Sequence, residues 1–272
     1  MTTVEPGFQL SDIDPASTPD ASGGKKWGAA QLKAGSAELG ELQSRLYAES
    51  LFGGKRSVLL ILQAMDTAGK GGIVSHVMRA MDPQGVSIFG FKAPTDEEKA
   101  HDFLWRVRPH LPKPGFVGVF DRSHYEDVLI HRVRGLSSPE TIEERYSLIN
   151  AFESELVASG TSVVKVMLHL GKDEQKRRLL ARLDDPTKQW KFNPGDIDER
   201  EHWDAYQEAY QVALTRTSTP DAPWHVIPAN HKWYARLAVQ HLLRDTLRAL
   251  APEWPAPDYD VAEQKARLTR SR

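Results

Sequence analysis

The sequence predicts an α/β fold in which helices cover both faces of a five-stranded parallel sheet. Two observations support this prediction. Short apolar runs of strand length alternate along the chain with longer segments whose apolar residues recur near the helical period. Two of these runs end at glycine-rich or acidic residues and lead directly into the next segment, as strands do in the βα units of a parallel sheet.

The predicted strands are five short apolar runs, each bounded by polar or turn-forming residues. In chain order they cover residues 58–62, 86–91, 116–120, 162–170 and 224–227. The predicted helices cover residues 27–52, a segment directly after Gly72, and residues 94–108, 139–159, 173–183, 196–217 and 231–250. Thr141 and Glu144 have the three-residue spacing of a capping box near a predicted helix start.

One domain is predicted, with a tail on each side. Residues 1–26 are rich in Pro, Ser, Thr, Asp and Gly and are expected to form a loose N-terminal tail. Residues 27–250 are expected to form the domain, with a lid over roughly residues 172–200, and residues 251–272 a C-terminal surface tail. The first residues lack the apolar stretch of a secretory signal.

The composition argues against several classes of protein. The chain has no cysteine, which excludes disulfides, cysteine-ligated zinc and thiol nucleophiles. It has no run of about eighteen apolar residues, so no membrane span is expected. The formal net charge is −2, so the chain as a whole does not favour a polyanion partner such as nucleic acid. Any anion site must come from local clustering of charge, and a cytoplasmic location is expected.

A glycine-rich segment follows the first predicted strand and precedes a helix, as in a P-loop. Such a loop needs small residues so that successive backbone N–H groups can turn inward around phosphate oxygens, and a lysine that reaches the phosphates. The chain offers Lys70 as this lysine. The small residues predicted to bind phosphate are Ala68, Gly69, Gly71 and Gly72.

This segment departs from the usual P-loop at two positions. Ala64 stands where the first glycine would be, and Gly71 stands where Ser or Thr would hold magnesium. Asp66, inside the loop, offers an oxygen ligand of the hard type that magnesium prefers. An ordinary glycine-rich βα turn is the alternative interpretation, and the strand–loop–helix context argues against it.

A second motif begins where the third predicted strand ends at Asp121. An acid at the end of an apolar strand is the Walker B arrangement, in which it binds magnesium directly or through water. Arg122 can neutralise phosphate charge beside it. Asp121 could instead be a helix N-cap, and Glu126 and Asp127 could be solvated acids in the first turn of a helix. His124 is interpreted as a surface or packing residue, without a phosphohistidine role.

A basic segment covers residues 165–191 and contains eight basic and four acidic residues, in a chain whose net charge is −2. A basic helix beside a P-loop is typical of a mobile lid over phosphates. Arg178 and Arg182 are four residues apart and therefore share a helix face. A solvated charged face is the alternative. The residues predicted to bind polyanionic phosphate here are Lys176, Arg177, Arg178, Arg182 and Lys191.

The segment after the second predicted strand lies where mononucleotide kinases bind their acceptor. Lys92 and Arg106 are candidate ligands for an acceptor phosphate, with Thr95 between them. Phe103 and Trp105 are interpreted as core residues rather than as platforms for a nucleobase.

Together these residues resemble the polyphosphate kinase 2 family over roughly residues 27–250. Several separate motifs occur in the family's order. They are MDTAGKGG (65–72), FKAPT (91–95), FDRSHYED (120–127), the lid pattern from EQK (174–176) to Arg182, WKFNPGD (190–196), RTST (216–219) and WHVIPA (224–229).

The resemblance implies a three-layer α/β/α P-loop kinase fold similar to thymidylate kinase, with a helical lid. It implies reversible, Mg²⁺-dependent transfer of the terminal phosphate of inorganic polyphosphate to ADP, AMP or both. GDP and GMP are further acceptor candidates, and Mn²⁺ is an alternative metal. The HYED form of the second motif is similar to the class III branch, which accepts both AMP and ADP. A homo-oligomer, either a dimer or a tetramer, is also implied, with no nucleic-acid or membrane partner.

The resemblance also implies roles for single residues. Asp66 and Asp121 match the magnesium-linked carboxylates, and Lys70 and Arg122 match phosphate ligands, so these four are the catalytic candidates. The family often has Asn at the position of Asp121, which leaves open whether this residue binds the metal directly. Glu126 joins Lys92, Thr95 and Arg106 as a candidate for the nucleotide acceptor site.

Two other functions stay open at the level of the sequence. An ATP-dependent nucleoside monophosphate kinase would share the fold and the P-loop, although Gly71 and Asp66 argue against it. A nucleotide- or polyphosphate-binding module without catalysis is the second alternative. The presence of Asp66, Lys70 and Asp121 argues against that module.

Overall fold

A six-stranded sheet forms the centre of the protein in the computed structural model, which describes residues 1–271. In space the strands follow the order β1-β6-β5-β2-β4-β3, and neighbouring strands from β2 to β6 are parallel. The five predicted parallel strands are therefore confirmed, and β1 adds an antiparallel edge strand. The strands are β1 (Thr2–Thr3), β2 (Ser57–Ala64), β3 (Val86–Gly90), β4 (Val117–Asp121), β5 (Thr161–His169) and β6 (Trp224–Pro228).

Helices flank the sheet and vary widely in length. They are α1 (Lys25–Ser50), α2 (Lys70–His76), α3 (Asp96–Lys99), α4 (Ile130–Val133), α5 (Pro139–Ala158), α6 (Lys172–Leu183), α7 (Gly195–Glu201), α8 (Trp203–Thr217), α9 (Lys232–Leu250) and α10 (Val261–Arg270). Short 3₁₀ turns join several of them, including His124–Asp127 after β4 and Gln189–Lys191 after α6.

The central strand β2 shows why the fold has three layers. All eight of its residues are buried, as expected for a parallel strand that is covered on both faces. Leu59 and Ile61 point into a core that contains residues of α5 and α8. Leu60 and Leu62 point into a second core that contains residues of α1 and α9. The alternation of side chains along one strand thus separates the two apolar cores.

The N-terminal segment, predicted to be a loose tail, is packed against the domain. β1 pairs with β6, and the amide of Val4 donates to the carbonyl of Trp224 at 2.9 Å. Val4 and Leu10 are both buried in the core beneath α8. The prediction was wrong because two well-placed apolar residues and a free sheet edge outweigh a polar, proline-containing composition. In the predicted C-terminal tail, α10 is helical and none of its residues is buried.

Two predicted helices differ from the structure. Residues 94–108 form only the single turn α3 and then irregular turns, because the Asp102 side chain accepts from the Leu104 amide and competes with helical hydrogen bonding. The segment 196–217 is divided at His202 into α7 and α8. The predicted capping box at Thr141 is replaced by Ser138, which caps α5 with Pro139 in its first turn.

The pairing of β1 with β6 makes stability depend on pH through His225. Burial, the amino terminus and Lys165 lower the pKa of His225 to about 4. The unfolded chain would protonate this ring near its ordinary pKa of about 6.5. Stability contributed by the neutral ring is therefore present above about pH 6.5 and is lost as the pH falls towards about 4.

We expect His225→Asn to lose less stability on acidification than the unchanged protein does. Between pH 7 and pH 5 the difference should be roughly 1 kcal/mol, because solvent screens part of the shift. Urea unfolding at the two pH values measures it. Burial also lowers the pKa values of His110, His131, His169 and His241, so the variant should keep some acid sensitivity. If both proteins lose the same stability between pH 7 and pH 5, the assignment of the pH dependence to His225 is contradicted.

Candidate active site

The ends of β2 and β4 place the two sequence motifs side by side. Leu62 and Asp121 are paired in the register of the two strands, and the Arg122 amide donates to the Leu62 carbonyl at 3.0 Å. The glycine-rich segment that follows β2 therefore lies beside the residues that follow β4. A cavity of about 770 Å³ opens over both segments.

This cavity is called the basic cavity, because ten basic residues and only two acids line it. The acids are Asp66 and Asp121. The bases come from the P-loop, the ends of β3 and β4, the lid segment and the start of α9. They are Lys70, Lys92, Arg122, Arg177, Arg178, Arg182, Lys188, Lys191, Lys232 and Arg236. Such an excess of cations suits an extended polyanion.

The P-loop has the backbone shape that an anion cradle requires. Thr67 has φ = +66° and Gly69 has φ = +122°, and Lys70 begins α2. Positive φ in this stretch lets successive N–H groups turn towards one side, where they can surround an anion. The Lys70 ammonium group donates to the Ala64 carbonyl at 3.3 Å and lies 3.9 Å from Asp121 Oδ1. The lysine is thereby held over the loop and next to the end of β4.

Arg122 and Asp66 form an ion pair at the edge of the basic cavity. An Arg122 terminal nitrogen donates to Asp66 Oδ1 at 2.8 Å, and the backbone of Arg122 has φ = +65°. Burial disfavours the Arg122 cation, but Glu126 and Asp66 outweigh this effect and raise its pKa. Burial raises the pKa of Glu126, against the opposing effects of Arg122 and Lys70. Arg122 therefore keeps its positive charge at the point where the two motifs meet.

A smaller cavity of about 210 Å³ lies on the other side of the same ion pair. It is called the acidic cavity, because its charged residues are four acids and one base. They are Asp66, Glu126, Asp196, Glu199 and Arg122. Tyr206 and Tyr210 of α8 are buried and form part of its wall. Asp66 and Arg122 line both cavities and thus form their common wall.

The lid segment brings only some of its predicted residues to the basic cavity. Arg177, Arg178, Arg182 and Lys191 line it, whereas Lys176 is exposed and is not among the lining residues. Lys165, which the basic segment includes, is fully buried on β5 and pairs with Glu153 at 2.5 Å. It points into the core because alternate residues of a parallel strand face the two buried layers.

Arg178 has a different environment from its neighbours on α6. Only 4% of the residue is exposed, and its guanidinium group donates to backbone carbonyls of the P-loop and of the β6–α9 loop. Arg178 is among the residues that line the basic cavity, but its guanidinium group is occupied by these backbone carbonyls. Helical phase separates it from Arg177, whose side chain is 69% exposed.

The predicted acceptor segment is mostly occupied with its own contacts. Thr95 caps α3 in a capping box with Glu98. Arg106 donates to the Lys92 carbonyl at 2.8 Å and lies 3.5 Å from Glu98 Oε1. Thr95 and Arg106 therefore stabilise this loop and line neither cavity, while Lys92 lines the basic cavity and Glu126 the acidic one.

The sequence interpretation missed several residues that line the cavities. Lys232 and Arg236 lie four residues apart at the start of α9, directly after the loop that follows β6. Their spacing after a predicted strand was a usable signal. Tyr206, Tyr210 and Glu199 gave no such signal, because aromatic and acidic residues at helical spacing are ordinary features of a helix between core and solvent.

The donor set suits a magnesium ion. Asp66 and Asp121 line the same cavity, and their side chains are 28% and 34% exposed. Magnesium commonly binds through one or two carboxylates, with water and substrate phosphates as its other ligands. Within residues 1–271, no group of three or more His, Cys, Asp and Glu residues could hold a metal by itself. The two carboxylates therefore fit an ion that also depends on a phosphate ligand.

Comparisons with known proteins identify the family. The family model of Polyphosphate kinase 2 matches residues 23–254. The AMP/ADP-polyphosphate phosphotransferase of Meiothermus ruber is 45% identical over 92% of this chain and 92% of that protein. The ADP-polyphosphate phosphotransferase of Rhodopseudomonas palustris is 44% identical over 80% of this chain and 78% of that protein.

A solved structure is similar over nearly the whole chain. The crystal structure of polyphosphate kinase 2 from Arthrobacter aurescens TC1 has a TM-score of 0.97 and 59% sequence identity. The match covers 99% of this chain and 95% of that one.

Across residues 1–271, none of the helices combines the length and the apolar character needed to cross a bilayer.

Proposed function

The chain belongs to the polyphosphate kinase 2 family, and from this premise we propose that it transfers the terminal phosphate of inorganic polyphosphate to ADP and to AMP, reversibly and with Mg²⁺. One observation carries the proposal. A P-loop, the Asp66–Arg122 pair and a long basic wall border a single cavity, and a second cavity of opposite charge adjoins them.

The basic cavity is the proposed donor site. Its volume is much larger than one phosphate group requires, and its cations extend from the P-loop, where Arg236 lies beside Gly72, to Lys188 and Lys191 of the lid segment. A single phosphate needs one cradle, whereas a chain of phosphates needs cations spaced along its length. This distribution supports polyphosphate as the donor.

The acidic cavity is the proposed site for the nucleoside part of the acceptor. Its four carboxylates would repel phosphate, but they can accept hydrogen bonds from ribose hydroxyl groups and from the amino group of adenine. Tyr206 and Tyr210 supply apolar surface for a nucleobase. The phosphates of the nucleotide would then point towards Arg122, the one base that lines this cavity among residues 1–271.

The protein's own groups supply positioning and charge. The amides of Ala68 and Gly72 donate to the Met65 and Gly69 carbonyls. The backbone N–H groups of Gly69, Lys70 and Gly71 and the Lys70 ammonium group therefore hold the terminal donor phosphate, and Arg122 faces the incoming phosphate oxygen. Asp66 and Asp121 would hold a magnesium ion, which would offset negative charge on the phosphates. The acceptor oxygen is already anionic at neutral pH, so no strong general base is needed.

An assay with purified protein tests this function. Mg²⁺, long-chain polyphosphate and ADP should yield ATP, and AMP in place of ADP should yield ADP. Chromatographic separation of nucleotides measures both reactions, and parallel assays with GDP and GMP measure base preference. Turnover with ATP plus AMP and none with polyphosphate would instead identify a nucleoside monophosphate kinase. Binding of polyphosphate without turnover would identify a non-catalytic module.

The homo-oligomer and the cytoplasmic location stay predictions.

The start of α9 should contribute to affinity for long polyphosphate. Lys232→Ala or Arg236→Ala should each raise the KM for long-chain polyphosphate about tenfold, the size expected for one lost charge-assisted hydrogen bond. The KM for ADP should change little, because neither residue lines the acidic cavity. Steady-state kinetics with long-chain polyphosphate and with tripolyphosphate measure the effect, and Arg236→Ala should raise both KM values because Arg236 lies beside Gly72 of the P-loop.

Arg248→Ala is the matched control for these variants. Arg248 lies on the same helix but is not among the residues that line either cavity, and it pairs with Glu38 of α1. Its removal should leave both KM values unchanged. An unchanged KM for polyphosphate in both α9 variants would contradict the assignment of the start of α9 to the donor site.

A further inference from the structure

We propose that Arg178 is a positioning residue that fixes the backbone of the P-loop, and that it does not bind the phosphate donor. The inference rests on the proposed function only in assigning the donor to the basic cavity. Arg178 is one of three arginines on α6, and the sequence alone assigns all three to phosphate binding.

The hydrogen bonds of Arg178 leave no N–H group for a phosphate. A guanidinium group has five N–H donors. The Nε donor bonds to Glu174 at 2.6 Å. One terminal nitrogen donates to the carbonyls of Thr67 at 3.0 Å and Ala68 at 2.8 Å. The other donates to the carbonyls of Ala229 at 2.6 Å and Asn230 at 2.9 Å. Five donors therefore meet five acceptors.

The position of these carbonyls explains why the P-loop needs such a partner. When successive N–H groups of a loop turn inward to an anion, the carbonyls of the loop turn away from it and need donors of their own. Thr67 also has φ = +66°, which is unfavourable for a β-branched residue. Because the Thr67 and Ala68 carbonyls both accept from Arg178, this side chain holds the loop in its strained form.

The Arg178 side chain connects three parts of the active site, which are α6, the P-loop and the loop between β6 and α9. The Ala229 and Asn230 carbonyls belong to the loop between β6 and α9, which leads to Lys232 and Arg236. Gln175, one turn earlier on α6, adds a second connection by donating to the Asp66 carbonyl at 3.1 Å. The first two turns of α6 are therefore attached to the P-loop, and the part of the predicted lid that can open begins beyond Arg178.

Kinetics of Arg178→Lys and Arg178→Gln distinguish positioning from binding. We expect kcat with polyphosphate and ADP to fall about 100-fold, the size expected when reacting groups are displaced by about 1 Å. The KM for polyphosphate should stay within about threefold, because no donor to phosphate is lost. A residue that binds the donor directly would instead raise this KM, more strongly at low salt than at high salt.

Arg177→Gln provides the contrasting result. Arg177 also lines the basic cavity and bonds to the same Glu174, but its side chain is exposed whereas that of Arg178 is buried. Its loss should raise the KM for polyphosphate while kcat changes little. A rise in KM for both variants with kcat preserved would overturn the proposal.

Two measurements keep the proposal testable if an Arg178 variant folds poorly. Gln175→Ala, which removes the weaker connection, should lower kcat in the same direction but by less, with an unchanged KM. In the unsubstituted protein, the Arg178 Nε–H proton should exchange slowly with solvent, and its NMR signal should not shift when polyphosphate is added. A shift of that signal on addition would overturn the proposal.

Hydrogen–deuterium exchange separates this inference from the proposed function. In the Arg178→Lys variant without any ligand, the amides of residues 66–70 should exchange faster than in the unsubstituted protein, while those of β5 should not. This result depends on the P-loop alone. If the unsubstituted protein fails to use polyphosphate, the proposed function fails, whereas unchanged exchange in residues 66–70 would overturn the role of Arg178.

Discussion

Replacing Lys70 with alanine is expected to reduce kcat with polyphosphate and ADP by roughly 10³-fold or more, the range seen when a cation that stabilises phosphoryl transfer is lost. The Lys70 ammonium group lies at the P-loop, 3.9 Å from Asp121 and in the cavity that both motifs border. Its charge offsets the negative charge that the phosphates concentrate there. Steady-state rates with saturating substrates measure the loss.

Asp121→Ala should give a comparable loss through a different cause, because Asp121 is one of the two carboxylates that fit the metal. Raising the Mg²⁺ concentration should recover part of the Asp121→Ala activity and none of the Lys70→Ala activity. Lys33→Ala on the exposed face of α1 is the matched control, and its rate should be unchanged. Rates near normal in a folded Lys70→Ala protein would refute the proposed site.

The largest effect on stability is expected from Lys165→Met. Lys165 and Glu153 are 2.5 Å apart and almost fully buried, and Lys165 also donates to the Thr217 carbonyl at 2.6 Å. Burial opposes ionisation of Glu153, but Lys165 and His124 together outweigh this effect and keep the pKa of Glu153 below its usual range. Removing the lysine leaves a buried carboxylate without its cation, which costs about 3–5 kcal/mol. Urea unfolding at pH 7 measures this cost.

A double variant separates the cost of the unpaired charge from the loss of packing. Lys165→Met combined with Glu153→Leu should recover much of the stability, because an apolar pair can replace a buried ion pair at little cost. The recovery should be partial, since Tyr125 also donates to Glu153 at 2.7 Å and would lose its acceptor. The exposed control Lys113→Met should be neutral. If the double variant is less stable than Lys165→Met, the unpaired carboxylate is not the cause.

The parts of the fold that the sequence predicted well are those that depend on local patterns. Five parallel strands could be read from short apolar runs, because a strand buried on both faces must be apolar throughout. Lys70 and Asp121 could be placed near each other because both follow strands of one parallel sheet, whose carboxyl ends meet at one edge. The P-loop and the Walker B residue therefore came from the sequence alone.

The environment of each lid arginine could not be read in the same way. Arg177 and Arg178 are adjacent in the sequence, yet one is exposed and the other is buried among carbonyls. Successive helical residues point about 100° apart, and the sequence does not say which direction faces the domain. The acidic cavity was missed for a related reason. Its walls come from the segments that follow β2 and β4, from α6, from α7 and the residues before it, and from α8. Only the tertiary fold brings these together.

The N-terminal strand has a consequence for how the protein can be shortened. β1 contributes only two residues to the sheet, yet it covers one edge of β6, and Val4 and Leu10 close the core beneath it. Deleting the first ten residues would uncover unpaired backbone groups along β6 beside an apolar surface. Open strands of this kind readily pair with other chains. Such a truncated protein would therefore tend to aggregate, even though none of the deleted residues lines either cavity.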